Sequence, residues 1–410
     1  MTKNSKAALT FIFITVLVDV IGLGIIIPVM PDLIMELIGQ GLSTASLYAG
    51  WITFTYAATQ FIFAPVIGAL SDQYGRRPVL LFSLLGFGIG YILIGLAPGI
   101  IWLFAARFIS GITGASFTTA SAYIADISTP VEKAKNFGLI GAAFGLGFII
   151  GPVVGGLLGE FGSRIPFYGA AALTLANALF GFFVLPESLN TENRRLFNWK
   201  RANPLGSLKQ ISRYPTVRGL IIVFFFLYVS SHAPQSTWTY YTMLKFEWDV
   251  LTVGLSLGAV GLLVAIVQGG LTRVVIPRIG ENRTVYMGLS FYFLGFLALA
   301  FAPNSFSMFI AIIPYSLGGF AGPALQGIIS NEVPDNEQGE LQGGLTSLIS
   351  LSAIFGPPIM TNLFGFFTSE ISPVQFPGAP FMLGAVLILG AVIWTTRTLS
   401  FSDTGTVSSD

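Results

Sequence analysis

The chain has 410 residues, of which 53% are hydrophobic and 10% charged, with 48 Gly, one His, no Cys and a formal net charge of +1. A water-soluble domain carries about a quarter of its residues charged, so this composition, with a mean hydropathy of +0.78, excludes a soluble protein. Balanced charge removes the electrostatic case for binding nucleic acid. The absence of Cys excludes disulfides, thiolate metal sites and thiol redox chemistry, and a single His excludes a His-rich metal centre.

A bilayer core about 30 Å thick takes about 20 apolar residues per helical crossing. Apolar runs bounded by polar, Pro or Gly breaks fall near 7–30, 47–71, 78–97, 100–124, 137–159, 166–185, 218–242, 250–271, 284–302, 305–329, 340–366 and 378–397. Twelve membrane helices are expected. An alternative count of eleven, which ignores the short break at Ala97-Pro98-Gly99, would put the two ends of the chain on opposite faces. The first run follows two lysines but is too long for the apolar region of a secretory signal and has no small-residue cleavage site. It reads as the first membrane helix.

Basic residues fix the expected orientation. Of the twenty Lys and Arg, seventeen fall on the side of the N-terminus, Arg164 and Lys245 fall on the other, and Arg107 lies within a helix. Both termini are therefore expected in the cytoplasm. The longest polar stretch, 187–215, separates two halves of similar size. The expected organisation is a six-helix bundle over 1–186, a cytoplasmic linker over 187–217, a second bundle over 218–398 and a tail over 399–410. Within the linker, Leu205, Leu208 and Ile211 stand at helical spacing, which suits a helix lying on the membrane surface. A flexible linker is the alternative. At a constant offset of 205 residues, Gly114 matches Gly319, Glu132 matches Glu337, Gly138 matches Gly343, and Gly151-Pro152 matches Gly356-Pro357. An internal duplication is expected, as in transporters that place a site between two repeated bundles.

Charges inside a bilayer are costly and usually functional. Asp19 lies halfway along the first helix, where a carboxylate is expected to face a wet cavity or to bind a proton; capping a neighbouring helix is the structural alternative. Arg107, in helix four, cannot deprotonate and must find an anion, a carbonyl, or water, whether for function or for structure. His232, midway through helix seven, is the one side chain with an ordinary pKa near neutrality. It is a candidate for proton coupling with Asp19 and Arg107, or a packing residue. Pro234 frees backbone groups beside it, and Gln235 and Trp238 stand about one turn away, as in a cavity wall. Gln268 and Gln326 are single amides deep in helices eight and ten, able to line a cavity or to pin helices.

Two motifs are more specific than single residues. At the cytoplasmic end of helix two, Gly68-Ala-Leu-Ser-Asp72-Gln-Tyr-Gly75-Arg76-Arg77-Pro78 offers a glycine turn and an Asp72–Arg76 pair, with Asp126 as a candidate third member. In helix five, Gly147, Gly151, Pro152, Gly155 and Gly156 combine glycines four apart, which let backbones touch, with a proline that bends the helix.

On these motifs the chain resembles the major facilitator superfamily, and within it the drug:proton antiporters. Arg107 in Ala106-Arg107-Phe-Ile-Ser-Gly111 is similar to that group's helix-four arginine motif. The tetracycline-efflux subgroup is resembled over nearly the whole chain, through Asp19 with Gly22, Gly24 and Pro28-Val-Met-Pro31, Phe144-Gly-Leu-Gly, Pro186-Glu187 and Pro323-Ala-Leu-Gln326-Gly327. The resemblance implies an all-α polytopic membrane protein with twelve transmembrane helices in two pseudo-symmetric bundles, the major facilitator fold. It implies a monomer in the plasma membrane, in bacteria the inner membrane. It also implies no cofactor, a proton gradient as energy source, and protons and a small amphipathic organic molecule as partners. The substrate set expected is Gln235, Trp238, Gln268, Tyr292 and Gln326.

The departures carry information. That subgroup has an acidic residue in helix three and another in helix nine, where this chain has Gly90 and Tyr292, and a helix-eight histidine where this chain has Val264. Tyr292, Trp238, Tyr240 and Tyr241 instead supply aromatic surface, which suits flat apolar molecules and organic cations. The expected activity is proton-coupled efflux of amphipathic compounds by alternating access, multidrug or tetracycline-like, with efficient tetracycline export not expected. The alternatives are an uptake symporter on the same scaffold, or a membrane enzyme or sensor. Against an enzyme stands the lack of any nucleophile–base pair, metal cluster or nucleotide loop: Gly86-Phe-Gly88-Ile-Gly90 is a packing run.

Overall fold

The computed structural model describes residues 3–114, 116–195, 215–334 and 337–404. Among them, twelve helices are long and apolar enough to cross a membrane: Ala8–Ile26, Leu42–Tyr74, Arg76–Gly95, Ile100–Ile127, Asn136–Gly159, Ile165–Val184, Val217–Phe246, Val250–Ile279, Glu281–Phe301, Ser305–Asn331, Leu341–Thr368 and Ala379–Leu399. They are numbered here as the first to the twelfth span. No strand occurs among the described residues. Large apolar side chains such as Ile62, Phe183 and Phe306 are exposed on the spans, a surface that water would penalise and a bilayer solvates. The chain is thus an all-α polytopic membrane protein. The surface helix anticipated around Leu205, Leu208 and Ile211 lies outside the described residues.

Backbone chemistry explains where the spans break. The first apolar run does not continue to residue 30. Its helix ends at Ile26, and a short helix, Met30–Ile38, follows. Pro28 has no N–H to give, and Pro31 sits in the first turn of the new helix, where none is needed. Gly39 closes it in the left-handed conformation, φ 64°, with its N–H bonded to Met35 O at 2.9 Å. The fourth span is interrupted at Gly114, whose freed carbonyl accepts from Gln60 Nε2 at 2.7 Å. The eighth span carries a π segment, Ile266–Leu271, and the tenth a 3₁₀ turn, Gly318–Phe320.

Two compact units emerge. The first comprises Met1–Gly41, Ile52–Asn203 and Trp248–Gly261; the second comprises Leu42–Trp51, Pro204–Glu247 and Leu262–Asp410. The division is therefore not a single cut in the linker, because the beginnings of the second and eighth spans group with the other half of the chain.

In the first unit, glycines set the distance between helices. A Cβ on Gly151 would lie 2.8 Å from Gly24 Cα and 2.8 Å from Ile21 O, and one on Gly147 would lie 2.6 Å from Val20 Cβ. A Cβ on Gly155 would collide with Ile25 O. One face of the fifth span therefore lies backbone to backbone on the first. Its other face meets residues 248–261, where a Cβ on Gly156 would be 3.1 Å from Leu251 Cα and Gly254 Cα packs alongside. Dispersion and close packing hold such contacts where no hydrophobic effect acts between helices.

In the second unit, a Cβ on Gly295 would lie 2.6 Å from Tyr315 Cα, which locks the ninth span to the tenth. The segment 42–51 is held on the eleventh span by polar bonds: Thr368 Oγ1 donates to Ser43 Oγ at 2.7 Å, and Ser43 Oγ donates to Thr368 O at 3.1 Å.

The glycine face of the fifth span yields a direct expectation. Gly155→Val places a branched side chain against the Ile25 carbonyl and should destabilise the protein by about 1–3 kcal/mol through overpacking, whereas Gly138→Ala, with open space around it, should be neutral. Thermal unfolding of the two variants in one detergent checks this; equal midpoints would contradict it.

Candidate functional site in the first bundle

The polar centre of the first unit is built from four spans. Asp19 on the first span and Arg107 on the fourth both lie within electrostatic range of Tyr56 and Tyr91, on the second and third spans. Arg107 is 7% exposed, and its guanidinium lies 5.9 Å from the centre of the Tyr56 ring, so its charge is met by an aromatic face. Gln60 donates to Tyr56 Oη at 3.2 Å as well as to Gly114 O. The break in the fourth span is thereby tied to the same group.

Packing explains why these side chains converge. A Cβ on Gly111 would lie 2.8 Å from Tyr56 O, so the fourth span presses on the second one turn from Arg107. A Cβ on Gly22 would lie 3.0 Å from Tyr91 Oη, so the phenol crosses the first span one turn from Asp19. Asp19 is half-buried, with its Oδ1 atom buried. The arrangement places a carboxylate, which can be neutral or charged, and a permanent cation around the same two phenols.

An ion cluster stands where the second span meets the third. Arg76 is 9% exposed, and its guanidinium donates to Asp72 Oδ1, to Ser71 Oγ at 2.6 Å and to Asp126 Oδ2 at 3.1 Å. Gly75 adopts φ 106°, a region that favours glycine, and a Cβ there would meet the Glu187 carboxylate. Gly68, by contrast, has open space around it, and its carbonyl accepts from Ser71 Oγ at 2.7 Å. The Asp72–Arg76–Asp126 triad expected from the sequence is thus formed.

Sequence reasoning gave Glu187 no role beyond resemblance, and the structure supplies one. Its Oε1 accepts from the backbone N–H groups of Arg76 at 2.8 Å and of Ser188 and Leu189 at 3.0 Å, and its Oε2 accepts from Arg77 N at 3.2 Å. The carboxylate therefore caps the third span, whose first amides have no helical partners. Beside it, a cavity of about 600 Å³ is lined by Asp72, Arg76, Asp126, Leu189, Glu192, Arg194 and Arg195. Acids and arginines balance across this cavity.

At the other end of the same unit, Arg164 Nη1 donates to the carbonyls of Gly95 at 2.9 Å and Ala97 at 3.0 Å, and Nη2 donates to Glu36 Oε1 at 3.0 Å. The hydrogen bond from Ser163 Oγ, with the Arg164 guanidinium beside it, holds the Glu36 carboxyl below its ordinary pKa.

Several residues placed on a cavity wall by sequence pattern sit elsewhere. Trp238 is 1% exposed and belongs to the packed interior of the second unit, because the seventh span turns that face inward. His232 is buried, its Nε2 3.4 Å from Ser352 Oγ, and a Cβ on Gly356 would collide with its ring, so it packs the seventh span on the eleventh. Tyr241 donates to Leu299 O at 2.7 Å and accepts from Lys245 Nζ at 3.0 Å, and Tyr240 is buried beside Phe364.

Tyr292 joins an aromatic cluster with Phe296 and Tyr315, ring centres 6.1 and 5.5 Å away. Gln235, Gln268 and Gln326 are exposed. Gln268 lies in the π segment against Gly319 of the 3₁₀ turn, and Gln326 donates to Gln342 Oε1 at 3.0 Å. Gly90 is a helix contact, where a Cβ would collide with Ser110 Oγ. Val264 lies one residue before the end of the helix that precedes the π segment. Among the described residues, no group of three or more His, Cys, Asp or Glu is arranged to hold a metal ion.

Twelve membrane helices in two units, with a carboxylate midway along the first span, a buried permanent cation on the fourth and an ion cluster where the second span meets the third, define a polytopic membrane carrier. The chain belongs to the Major Facilitator Superfamily, whose sequence profile matches residues 12–357. It is 39% identical over 386 residues to the class C tetracycline resistance protein of Escherichia coli, covering 94% of this chain and 96% of that one. It is 37% identical over 371 residues to the class G tetracycline resistance protein of Vibrio anguillarum, covering 90% and 92%. A crystal structure of a bacterial homolog to the human lysosomal transporter Spinster, inward-facing and occupied, shares the fold with a TM-score of 0.79 at 16% identity over 98% of each chain.

The Glu187 cap is open to direct measurement. Glu187→Ala should leave the amides of Arg76 and Arg77 without an acceptor, at a cost of about 1 kcal/mol. Hydrogen exchange at those two amides should accelerate while exchange in the first and fifth spans stays unchanged. Unaltered exchange would contradict the capping role.

Proposed function

We propose that this chain exports drug-sized amphipathic organic compounds from the cytoplasm across a bacterial inner membrane in exchange for protons, with both termini in the cytoplasm. Asp19 is the coupling carboxylate and Arg107 the fixed cation beside it. The observation that carries the reading is the convergence of Asp19, Arg107, Tyr56 and Tyr91 from four spans of one bundle. Support for export rather than uptake comes from the similarity to tetracycline resistance proteins and from the glycine face of the fifth span.

A proton arriving from outside neutralises Asp19 and weakens its hold on the substrate. Return to the inward-open state releases that proton to the cytoplasm. The membrane potential contributes about 2.3 kcal/mol per charge per 100 mV when net charge moves. The Asp72–Arg76–Asp126 cluster acts as a cytoplasmic latch, since a partly desolvated ion pair leaves an unpaired charge when one partner is lost. His232 is left as a packing residue that tunes the seventh span.

Two substrate readings follow from different observations. Tetracyclines are the first, on similarity alone. The expectation against them leaned partly on Gly90, but that position is a helix contact, so the missing carboxylate there says nothing about the cavity. Flat aromatic cations are the second, favoured by the half-buried Tyr292 with exposed Gln268 and Gln326 as hydrogen-bonding groups. Resistance of efflux-deficient cells expressing the chain to tetracyclines, dyes and quaternary amines separates the two. Protection against neither class would remove the export reading.

Asp19→Asn should fold and still bind substrate, yet lose gradient-driven transport by on the order of a hundredfold, the scale of a positioned proton-transfer group. Purified Asp19→Asn in vesicles that kept full gradient-coupled transport would sink the assignment. Asp72→Asn should make cavity positions less accessible to labelling from outside, and unchanged labelling would count against the latch.

A further inference from the structure

The core of the first unit contains a layer of polar atoms that apolar packing does not account for. Thr15 Oγ1, Ser83 Oγ, Thr119 Oγ1, Thr174 Oγ1 and both amide atoms of Asn177 are buried, and no protein group bonds to them. Thr15, Ser83 and Thr119 have 0% exposure, Thr174 has 1% and Asn177 has 5%. A buried hydroxyl or amide without a partner costs about 1–3 kcal/mol, and native interiors relieve that cost with ordered water.

The register puts Thr15 and Asn177 at one level. A Cβ on Gly181 would lie 2.5 Å from Phe11 Cζ, so the sixth span faces the first there. Thr15 follows Phe11 by four residues, and Asn177 precedes Gly181 by four on the antiparallel sixth span. Residues three or four apart share a helix face, so the Thr15 hydroxyl and the Asn177 amide stand across from each other one turn beyond that contact. One further turn along the first span on that stripe stands Asp19.

We propose that this pair anchors a hydration layer: a small cluster of bound water, held by Thr15 and Asn177, that solvates Asp19 from within the first bundle and takes part in its proton exchange. The inference rests on the assignment of Asp19 as the coupling group. Asp19 then has two environments. Arg107, Tyr56 and Tyr91 face it from the second to fourth spans, and the water layer supports its ionised form from below, apart from the substrate. The proton is lost from Asp19 to water as hydronium character in the cluster and is regained by the reverse transfer, with no co-reactant.

Asn177→Leu and Thr15→Val remove the anchors of the layer without touching Asp19, and Asn177→Gln and Thr15→Ser retain them. Each variant is reconstituted as the full chain beside Asp19→Asn. Proton-driven transport and its pH profile are measured with a substrate identified in the resistance panel, as is substrate–substrate exchange without a gradient. The proposal expects Asn177→Leu and Thr15→Val to keep exchange at the wild-type rate. It expects them to slow proton-driven transport several-fold and to move its midpoint to higher pH, because an ionised carboxylate that loses solvation binds its proton more tightly. The conservative variants should behave as wild type.

An unchanged pH profile in folded Asn177→Leu, alongside uncoupled Asp19→Asn, overturns the layer and leaves the Asp19 assignment standing. Coupled transport by Asp19→Asn overturns both. Equal loss of exchange and proton-driven transport that Asn177→Gln does not restore shows a structural role and likewise overturns the proposal.

Discussion

The close approach of two helix backbones sets the geometry of this protein. Where the first span crosses the fifth, Gly24 and Gly151 stand so near that a Cβ on either would meet the other's main chain. In a bilayer, apolar side chains gain nothing by leaving lipid for protein, so helices are held by packing and by hydrogen bonds. A glycine seam makes that packing tight enough to fix rotation as well as distance. Val20 lies against Gly147 and Ile25 against Gly155, and Asp19 is the residue that precedes Val20. The same seam that joins the spans decides which way the carboxylate points.

Once the first span is fixed, the rest of the polar centre follows from where other helices can reach it. Gly22 admits the Tyr91 phenol, and Gly111 admits the second span, bringing Tyr56 and Gln60 to Arg107. Gly114 frees a carbonyl that Gln60 takes, and the π segment around Gln268 faces the 3₁₀ turn at Gly319. Such defects are costly in lipid unless buried partners repair them, and π segments recur at functional sites.

Much of this was legible in the sequence because a bilayer makes polar residues conspicuous. The twelve spans, Asp19 and Arg107 stand out from apolar runs, and the Gly75 turn with Asp72, Arg76 and Asp126 is formed from residues whose chemistry has few alternatives. The pattern gave less where contact depends on rotation. Trp238 and His232 occupy plausible cavity positions by spacing, yet a rotation of the seventh span about its axis turns them into its packed face. Tyr56, Tyr91 and Gln60 carry no local signal, since their role comes from spans far apart in sequence. The short helix Met30–Ile38 lies just past the first apolar run, although Pro28 and Pro31 marked its start and Gly39 its end. Glu187 is similar: a carboxylate after a span reads as a solvated loop until the amides it caps are seen beside it.

The account stands most directly on the direction of coupling in reconstituted wild-type protein. Vesicles are prepared with an acid lumen and the cytoplasmic face of the carrier outward, and a tetracycline or an aromatic cation is supplied outside. Antiport predicts that the drug accumulates in the lumen as protons leave, and that a protonophore collapses the accumulation. Accumulation driven instead by an alkaline lumen, with drug and protons entering together, would contradict it.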